Sequence, residues 1–258
     1  MSPESNQESC RWNAAPAIPV FEDNDVHVWR AHLDDTVDPA WELGLLSEDE
    51  RRRAARFRFA HHRTRFVLRR ALLRTILGRY VGIEPGRLQF RDAANGKLAL
   101  TGYEDLQFNL SSSRSVALYA IACDRVVGVD VEHVSPSAGN LPLAERLFAS
   151  AELTALRSLP ASSRGLAFYR CWTRKEAFVK AIGSGLSRSL DTFEVPLDAA
   201  DRLMPVHSTI DPDVWSVREV MPAPAYVGAV ASEGQNWTAS YFEAPPANEQ
   251  RTAIAAVS

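Results

Sequence analysis

The sequence predicts an α+β (α/β) fold made of two similar halves, and three observations support this prediction. Each half of the 258-residue chain contains one long helical pattern, near 61–80 and 164–183, together with several short runs of alternating or β-branched residues. The hydrophobic fraction is 46% and the charged fraction 24%, as in ordinary globular proteins. A chain of this length can also bury a sizeable core. We therefore expect each half to pack its long helix against a small sheet.

The first half is predicted to begin with a strand and two helices. VHVWRAHL (26–33) alternates as a strand does. SEDE carries a capping box, with Ser47 as N-cap and Glu50 as its partner, so a helix should run from there to about Phe59. A second helix should span about 61–80, where apolar residues recur at helical spacing.

Short strands are expected around the middle of the chain. They are LQF (88–90), LAL (98–100), a strand from about Val116 and VVGVDVE (126–132). A turn at Asn95-Gly96 joins the first two. Cys123-Asp124-Arg125 suits a tight hairpin turn between the last two.

The second half is predicted to start with helices and end in strands. The helices lie near 142–149, 151–158 and 164–183, and the strands near 193–195, 215–220, 226–231 and 237–242. Residues 1–20 and about 245–258 are rich in Pro, Ala, Ser and Gln, so we expect flexible tails there.

Composition argues against several classes of protein. The net charge of −3 gives no global electrostatic case for nucleic acid, and no apolar run approaches the length of a membrane span. The first ten residues are polar and acidic, unlike a secretory signal. Cys10, Cys123 and Cys171 are widely spaced, which disfavours a disulfide framework or a zinc cluster. These features predict a cytoplasmic protein.

Two carboxylates share one face of the predicted strand VGVDVE (127–132). Asp130 and Glu132 are two residues apart, so their Cα atoms lie about 7 Å from each other in an extended chain. Oxygen ligands of this kind suit Mg²⁺, whose charge would offset their repulsion. A charged, solvent-facing edge strand is the alternative explanation.

A second candidate constellation lies in CWTRKEAFVKAIGSGL (171–186). Glu176 and Lys180 are neighbours on one face of the predicted helix. A stabilising surface ion pair explains them equally well, although Trp172 one turn earlier argues against full exposure. If Glu176 converges on Asp130 and Glu132, the three carboxylates require a metal ion.

The segment 50–74 carries ten arginines and two histidines against one acid. A solvated helix face, a nucleic-acid patch or a site for a polyphosphate cofactor each explains this charge. Downstream, Lys97 would project from the Asn95-Gly96 turn. The Ser cluster of FNLSSS (108–113) would supply hydroxyl groups to phosphate oxygens.

Taken in order, these motifs resemble the Sfp-type 4′-phosphopantetheinyl transferases. The family pattern combines a basic helical segment, a G-K turn, F-N-[IL]-S-H-S, G-[IV]-D-[IV]-E and W-[ST]-x-K-E-[AS]-x-x-K-x-x-G-x-G-L. The corresponding stretches are 50–74, Gly96-Lys97, FNLSSS, GVDVE (128–132) and WTRKEAFVKAIGSGL (172–186). The last two match at every defining position, and the resemblance covers roughly residues 45–195.

The resemblance implies two pseudo-symmetric subdomains, each a long helix against a small, mostly antiparallel sheet, with coenzyme A bound between them. Their bounds here would be 21–125 and 126–244. The implied reaction is a Mg²⁺-dependent transfer of 4′-phosphopantetheine from coenzyme A to a serine of an apo acyl or peptidyl carrier protein, releasing adenosine 3′,5′-bisphosphate. The enzyme would be a cytoplasmic monomer serving fatty-acid, polyketide or nonribosomal-peptide synthesis, without nucleic-acid or membrane partners.

The resemblance also assigns roles to individual residues. Asp130, Glu132 and Glu176 would hold Mg²⁺, with Mn²⁺ as an alternative, and Glu176 and Lys180 would be catalytic. The residues implied to contact coenzyme A are Arg53, Arg65, Lys97, Ser111, Ser112, Asp130 and Lys180. Glu152 matches a further acidic position of the cofactor site.

Two positions depart from the family pattern. Ser112 stands where the family has a histidine, and Phe66 where it often has a small polar residue. Loss of a charge-assisted hydrogen bond at position 112 would cost about 1.5–3 kcal/mol. We hypothesise that Arg114 compensates. A relative that binds coenzyme A or a carrier with weak or lost activity is therefore the alternative function.

Overall fold

Two four-stranded sheets and two long helices form the framework of the described part of the chain. The computed structural model describes residues 10–33, 36, 38–93, 97–135, 141–183, 189–198, 202–208 and 215–245. The strands are β1 (Asp25–His32), β2 (Phe90–Asp92), β3 (Leu98–Leu100), β4 (Leu106–Ser113), β5 (Val116–Cys123), β6 (Val127–His133), β7 (Phe193–Glu194), β8 (Met204–Pro205), β9 (His207–Ser208), β10 (Trp215–Val220), β11 (Tyr226–Glu233) and β12 (Thr238–Glu243). The helices are α1 (Ala40–Leu45), α2 (Glu48–Ala55), α3 (Ala60–Val81), α4 (Leu141–Leu147), α5 (Ser150–Ser158) and α6 (Ala161–Ile182). The predicted α+β class is confirmed.

The two larger sheets share a simple, mostly antiparallel pairing. The first has the order β12-β1-β5-β4, in which β1 runs parallel to β12 and antiparallel to β5. The second has the order β6-β11-β10-β8 and is antiparallel throughout. The short strands form two pairs, β2 with β3 and β7 with β9.

The sheets pack face to face, and each carries a long helix on its outer face. An apolar layer between them contains Val28 and Leu118 from the first sheet and Val129 and Val230 from the second. α3 covers the first sheet through residues such as Leu73, and α6 covers the second in the same way. Full burial of each such aliphatic side chain contributes about 1.5–3 kcal/mol. The layers are therefore helix, sheet, sheet, helix.

The helix boundaries follow from local sequence signals. Ser47 and Glu50 form the predicted capping box of α2, with hydrogen bonds of 3.3 and 2.9 Å. α2 ends at Ala55 rather than near Phe59, and α3 begins at Ala60. Gly82, with a φ of 67°, caps the C-terminus of α3 in the left-handed region that glycine adopts easily.

The predicted hairpin at Cys123-Asp124-Arg125 is wrong. The strands on either side of it, β5 and β6, belong to different sheets. The polar stretch 106–113 is itself a strand, β4, which pairs with β5 through a turn where Arg114 has a φ of 50°. Because β1 and β4 already occupy both edges of β5, no edge is left for β6. The chain therefore crosses between the sheets at this point.

The described parts near both chain ends contact the first sheet. The Asn13 N–H donates to the carbonyl oxygen of Tyr241 at 2.9 Å, and the ring of Trp12 packs edge-on against Tyr241. β12 follows the second sheet in sequence but pairs with β1. The subdomain bounds 21–125 and 126–244 stay a prediction. The Asn95-Gly96 turn and residues 1–9 and 246–258 lie outside the described residues.

Among the described residues, no helix combines the length and the apolar character that a membrane crossing requires.

Candidate active site

A close approach of α6 to β6 creates the candidate site. At Gly128, an added Cβ would lie 2.1 Å from the carbonyl oxygen of Ala177 and 2.4 Å from the backbone nitrogen of Ala181. Only glycine permits this separation, because real Cβ atoms do not come that close to backbone atoms. The approach brings Lys180 of α6 within contact distance of Asp130, two residues along β6.

Asp130, Lys180 and Ser111 form a compact polar cluster. The Lys180 Nζ donates to Asp130 Oδ1 at 2.7 Å and to the Ser111 Oγ at 3.0 Å. The Ser111 hydroxyl donates to the same carboxylate oxygen at 2.8 Å. Asp130 is buried, whereas about 29% of the Lys180 side chain is exposed. The lysine ammonium can therefore neutralise the aspartate and still reach a bound ligand.

Glu132 and Glu176 carry perturbed acidity in the same region. Burial raises the pKa of Glu132, and the negative charge of Asp130 adds to this effect, while the Ser113 hydroxyl opposes it by donating at 2.8 Å. Burial likewise raises the pKa of Glu176, reinforced by the charges of Asp130 and Glu132 and opposed by Lys180. Each of these carboxylates thus experiences the negative charge of a neighbour, as expected for acids that share one site.

The donor chemistry of these carboxylates fits a divalent cation. Asp130 Oδ2 is buried and accepts no hydrogen bond from any described residue. Carboxylate oxygens are hard donors of the kind that Mg²⁺ accepts. However, no three His, Cys, Asp or Glu side chains lie close enough together to hold a metal ion within the described ranges. The predicted ligand set Asp130, Glu132 and Glu176 therefore stays a prediction.

β4 lies beside the open edge of β6 and joins the two sheets through side chains. Asn109 Oδ1 accepts the backbone N–H of Val129 at 3.0 Å, and the Ser113 Oγ accepts that of His133 at 3.1 Å. These bonds satisfy donors on an edge that has no strand partner on this side. The polar stretch FNLSSS therefore joins the two sheets by hydrogen bonds and also lines the site.

Alternation along β4 sends its serines to opposite faces. Ser111 and Ser113 point to β6, whereas Ser112 points to α3 and accepts a hydrogen bond from the Arg69 Nη1 at 2.7 Å. Ser112 is thus brought next to Arg69 rather than to Asp130.

The remaining predicted contact residues form two groups, one between β6 and α6 and the other on the α3 side of β4. The Lys97 Nζ donates to the carbonyl oxygens of Val127 and Ala181, at 3.0 and 3.2 Å, so it bridges β6 and α6. Burial lowers its pKa to about 8, with the charge of Glu233 acting in the opposite direction. Arg53 and Arg65 lie instead on the α3 side, the first 5.6 Å from the ring centroid of Phe66 and the second beside Ser112 in one cavity.

The arginine-rich segment divides into structural and available members. Arg74 is buried, donates to Glu50 at 2.7 Å and also binds the carbonyl oxygens of Pro85 and Leu88. Arg70 binds the same Glu50 carboxylate. These two arginines stabilise the packing of α2 on α3 and are not available to a ligand.

Glu152, which matches a further acidic position, is engaged inside the second half. Its carboxylate is 2.8 Å from the Lys175 Nζ and accepts the backbone N–H groups of Ala149 and Val195, each at 2.8 Å. Burial raises its pKa even so, against the lowering effect of Lys175. We therefore assign Glu152 to the packing of α5 against α6.

The sequence motifs do not single out two residues of this region. Asn109 falls within a stretch that predicts phosphate binding, and Arg69 is one of ten arginines in its segment. The position of Arg69 on the predicted helix could have indicated which sheet face it meets. Its pairing with Ser112 depends on a contact across 43 residues that periodicity does not reveal.

Comparison with known proteins gives a consistent family match. Residues 126–231 match the family model described as "ACPS: 4′-phosphopantetheinyl transferase superfamily". This segment includes β6, α6 and the carboxylates described above.

Similarity to characterised sequences extends over nearly the whole chain. The chain is 37% identical to 4′-phosphopantetheinyl transferase HetI of Nostoc sp. over 235 residues, which is 90% of this chain and 97% of that protein. It is 34% identical to 4′-phosphopantetheinyl transferase psf-1 of Bacillus pumilus, across 59% of this chain and 64% of the relative. For 4′-phosphopantetheinyl transferase Sfp of Bacillus subtilis the identity is 28%, across 60% and 68%.

Proposed function

Because this chain belongs to the 4′-phosphopantetheinyl transferase superfamily, we propose that it moves 4′-phosphopantetheine from coenzyme A to a serine of an apo carrier protein. The carrier would be an acyl or peptidyl carrier protein, and the other product adenosine 3′,5′-bisphosphate. The observation that carries this proposal is the cluster of Asp130, Lys180 and Ser111 at the seam between the two sheets.

The chemistry requires neutralised phosphate oxygens and a nucleophile held in line. The serine oxygen of the carrier forms a bond to the phosphorus that bears pantetheine. The bond from that phosphorus to the bridging oxygen breaks, and the nucleotide leaves with that oxygen. Lys180 lies at the rim of the cluster, where its ammonium can stabilise the charge on the leaving phosphate. The Ser111 hydroxyl and Lys97 offer further donors to the pyrophosphate.

Glu176 is the proposed proton acceptor for the carrier serine. Burial and two neighbouring carboxylates raise its pKa. Ligation to a cation would lower its basicity again, so Glu176 would take the proton through a bound water or while loosely coordinated. Asp130, Glu132 and Glu176 are also the residues that would hold Mg²⁺, with Mn²⁺ as an alternative. When bound, the ion would offset the negative charge of the pyrophosphate.

Further aspects of the proposal concern the setting of the reaction. The three cysteines, Cys10, Cys123 and Cys171, are unpaired, as is usual in a reducing compartment such as the cytoplasm. A monomer is the proposed working unit.

The decisive experiment measures transfer to purified apo-carriers of the fatty-acid, polyketide and nonribosomal-peptide classes. We expect the mass of one phosphopantetheine group to be added to at least one carrier in the presence of coenzyme A and Mg²⁺. Asp130→Asn and Glu176→Gln should each lower kcat/KM by about 10²-fold or more, because each removes charge at the reacting phosphate. Glu104→Gln, at an exposed acid, is the matched control.

The alternative function, a binding protein with weak or lost turnover, is favoured by Ser112 alone. It predicts measurable affinity for coenzyme A or a carrier but no mass change in any of the three. The same set of carriers therefore separates the two functions, and unchanged activity in Asp130→Asn would reject the proposed site.

A further inference from the structure

A small basic cavity lies on the face of β4 opposite the Asp130 cluster. Its volume is about 220 Å³. The lining includes two aromatic rings, three arginines and one hydroxyl: Phe57, Phe66, Arg65, Arg69, Arg114 and Ser112. Pockets for whole drug-sized ligands span about 300–1,000 Å³. This cavity is therefore sized for one charged group of a ligand rather than for a complete nucleotide.

Arg69 is the cavity guanidinium that contacts Ser112 directly. Its Nη1 donates to the Ser112 Oγ at 2.7 Å, and the carbonyl oxygen of Arg69 accepts the hydroxyl of Tyr119 at 3.0 Å. Its Nε is buried and has no hydrogen-bond partner among the described residues. Burial lowers the pKa of Arg69, and the positive charges of Arg70 and Arg53 act in the same direction.

This arrangement leaves a partly buried positive charge without a counterion. In the described part of the chain, no carboxylate lies within ion-pair distance of Arg69. A guanidinium withdrawn from water and faced by other cations is costly unless an anion completes the site. Ser112 donates and accepts but carries no charge. The cavity is therefore incomplete without an anionic ligand group.

We propose that Arg69, positioned by Ser112, binds the phosphate monoester of coenzyme A. This inference rests on the proposed function, which supplies coenzyme A as the ligand. Coenzyme A contains a pyrophosphate diester and one 3′-phosphate monoester. The pyrophosphate belongs with Lys180 and Asp130 on the β6 side of β4, so the monoester is the phosphate left for the α3 side. Arginine binds such a dianion through two parallel hydrogen bonds.

Arg69 rather than Arg114 supplies the charge that Ser112 lacks. Arg114 lies at the turn after β4 with a φ of 50°, and its Nη1 is 3.4 Å from His133 Nε2 on β6. The Arg69 guanidinium contacts Ser112 directly, and Arg69 belongs to the long helix α3. The positive charge at this position thus comes from α3, where the family pattern would place a histidine on β4.

The test compares coenzyme A with 3′-dephospho-coenzyme A as ligands in isothermal titration calorimetry, with Mg²⁺ present. A charge-assisted hydrogen bond contributes roughly twice the free energy of a neutral one. We therefore expect the wild-type protein to bind coenzyme A about 10- to 100-fold more tightly than 3′-dephospho-coenzyme A. Arg69→Gln should reduce this preference to about threefold or less, with the affinity for 3′-dephospho-coenzyme A unchanged. Combining Arg69→Ala with Ser112→His should restore part of the preference.

Controls separate this role from a structural one. Arg91→Ala removes an exposed arginine and should keep the wild-type preference. Arg114→Asn, which tolerates the left-handed turn, should lower the preference less than Arg69→Gln does. A full preference for coenzyme A in folded Arg69→Gln would overturn the inference, as would equal wild-type binding of both ligands. Failure of the proposed function looks different, since no carrier would then gain mass, whether or not the wild-type protein binds coenzyme A.

Discussion

Lys97 illustrates how burial adjusts a single ionisable residue. Its ammonium group is bound to carbonyl oxygens at the start of β6 and the end of α6, which are neutral acceptors. Removal from water therefore disfavours the charged form and lowers the pKa to about 8. In the unfolded chain the lysine keeps its ordinary value of 10.5.

This difference predicts a pH-dependent contribution of Lys97 to stability. Between pH 8 and 10.5 the unfolded state binds a proton that the folded state has released, so stability rises with pH in that window. The free energy of unfolding of the wild type, minus that of Lys97→Met, should rise by at most about 1.4 kcal/mol per pH unit. Urea unfolding from pH 7 to 10.5 measures it, with Arg91→Met as a control at an exposed arginine. A pH-independent difference would contradict the lowered pKa.

At the scale of elements, the contact between β6 and α6 determines the position of the site. Gly128→Ala should destabilise the protein by about 3 kcal/mol or more, because its Cβ would overlap backbone atoms of α6 that cannot move independently. Thermal and urea unfolding measure the change. Transfer activity should also fall, because displacement of α6 separates Lys180 from Asp130.

A matched variant isolates the steric effect. Gly44 in α1 has no heavy atom within 4 Å of an added Cβ. Gly44→Ala should therefore be neutral or stabilising by up to about 1 kcal/mol, since alanine favours helix. Similar losses in both variants would show that glycine flexibility, and not the close approach at Gly128, is what matters.

Local elements were largely predictable from the sequence, because their signals are local. The capping box at Ser47, the long periodic stretches of α3 and α6 and the alternation of β6 each depend on residues a few positions apart. The sequence does not predict β4 as a strand, because a run of serines is typical of a loop. Their strand conformation is stabilised by distant partners, the ladder to β5 and the edge of β6.

The candidate site was predictable only in part for the same reason. The motifs select Asp130, Lys180 and Ser111, and the structure brings these three side chains together. Proximity in sequence favours Arg114 as the residue that compensates for Ser112. The contact with Arg69 depends on how α3 packs across β4 and β5, which no spacing in the sequence reveals.

For the whole molecule, the central apolar layer and the last strand bind the two halves together. β6 and β11 bury their valines against β1 and β5, and β12 adds to the edge of the first sheet. Trp237, just before β12, is buried in the same layer and donates to the Ser216 Oγ at 2.9 Å. Neither sheet keeps its inner face covered without the other.

We therefore expect one cooperative unfolding transition despite the two similar halves. Far-UV circular dichroism and tryptophan fluorescence should give coincident midpoints in urea. A fragment of residues 21–125 should fail to fold alone, because it exposes the valine face of β1 and β5 and lacks β12. A folded fragment, or two separate transitions, would instead support independent subdomains with the predicted bounds.

The pairing of β12 with β1 also has a consequence for chain connectivity. Asn13 and Phe242 form a parallel bridge, so the segments before β1 and at the end of β12 lie side by side. The chain crosses from β5 to β6 at Asp124, and these two strands do not pair with each other. A circular permutant that joins the old ends and opens at Asp124 would keep every strand pair intact. The strand pairing therefore does not require the first half to precede the second half in the chain.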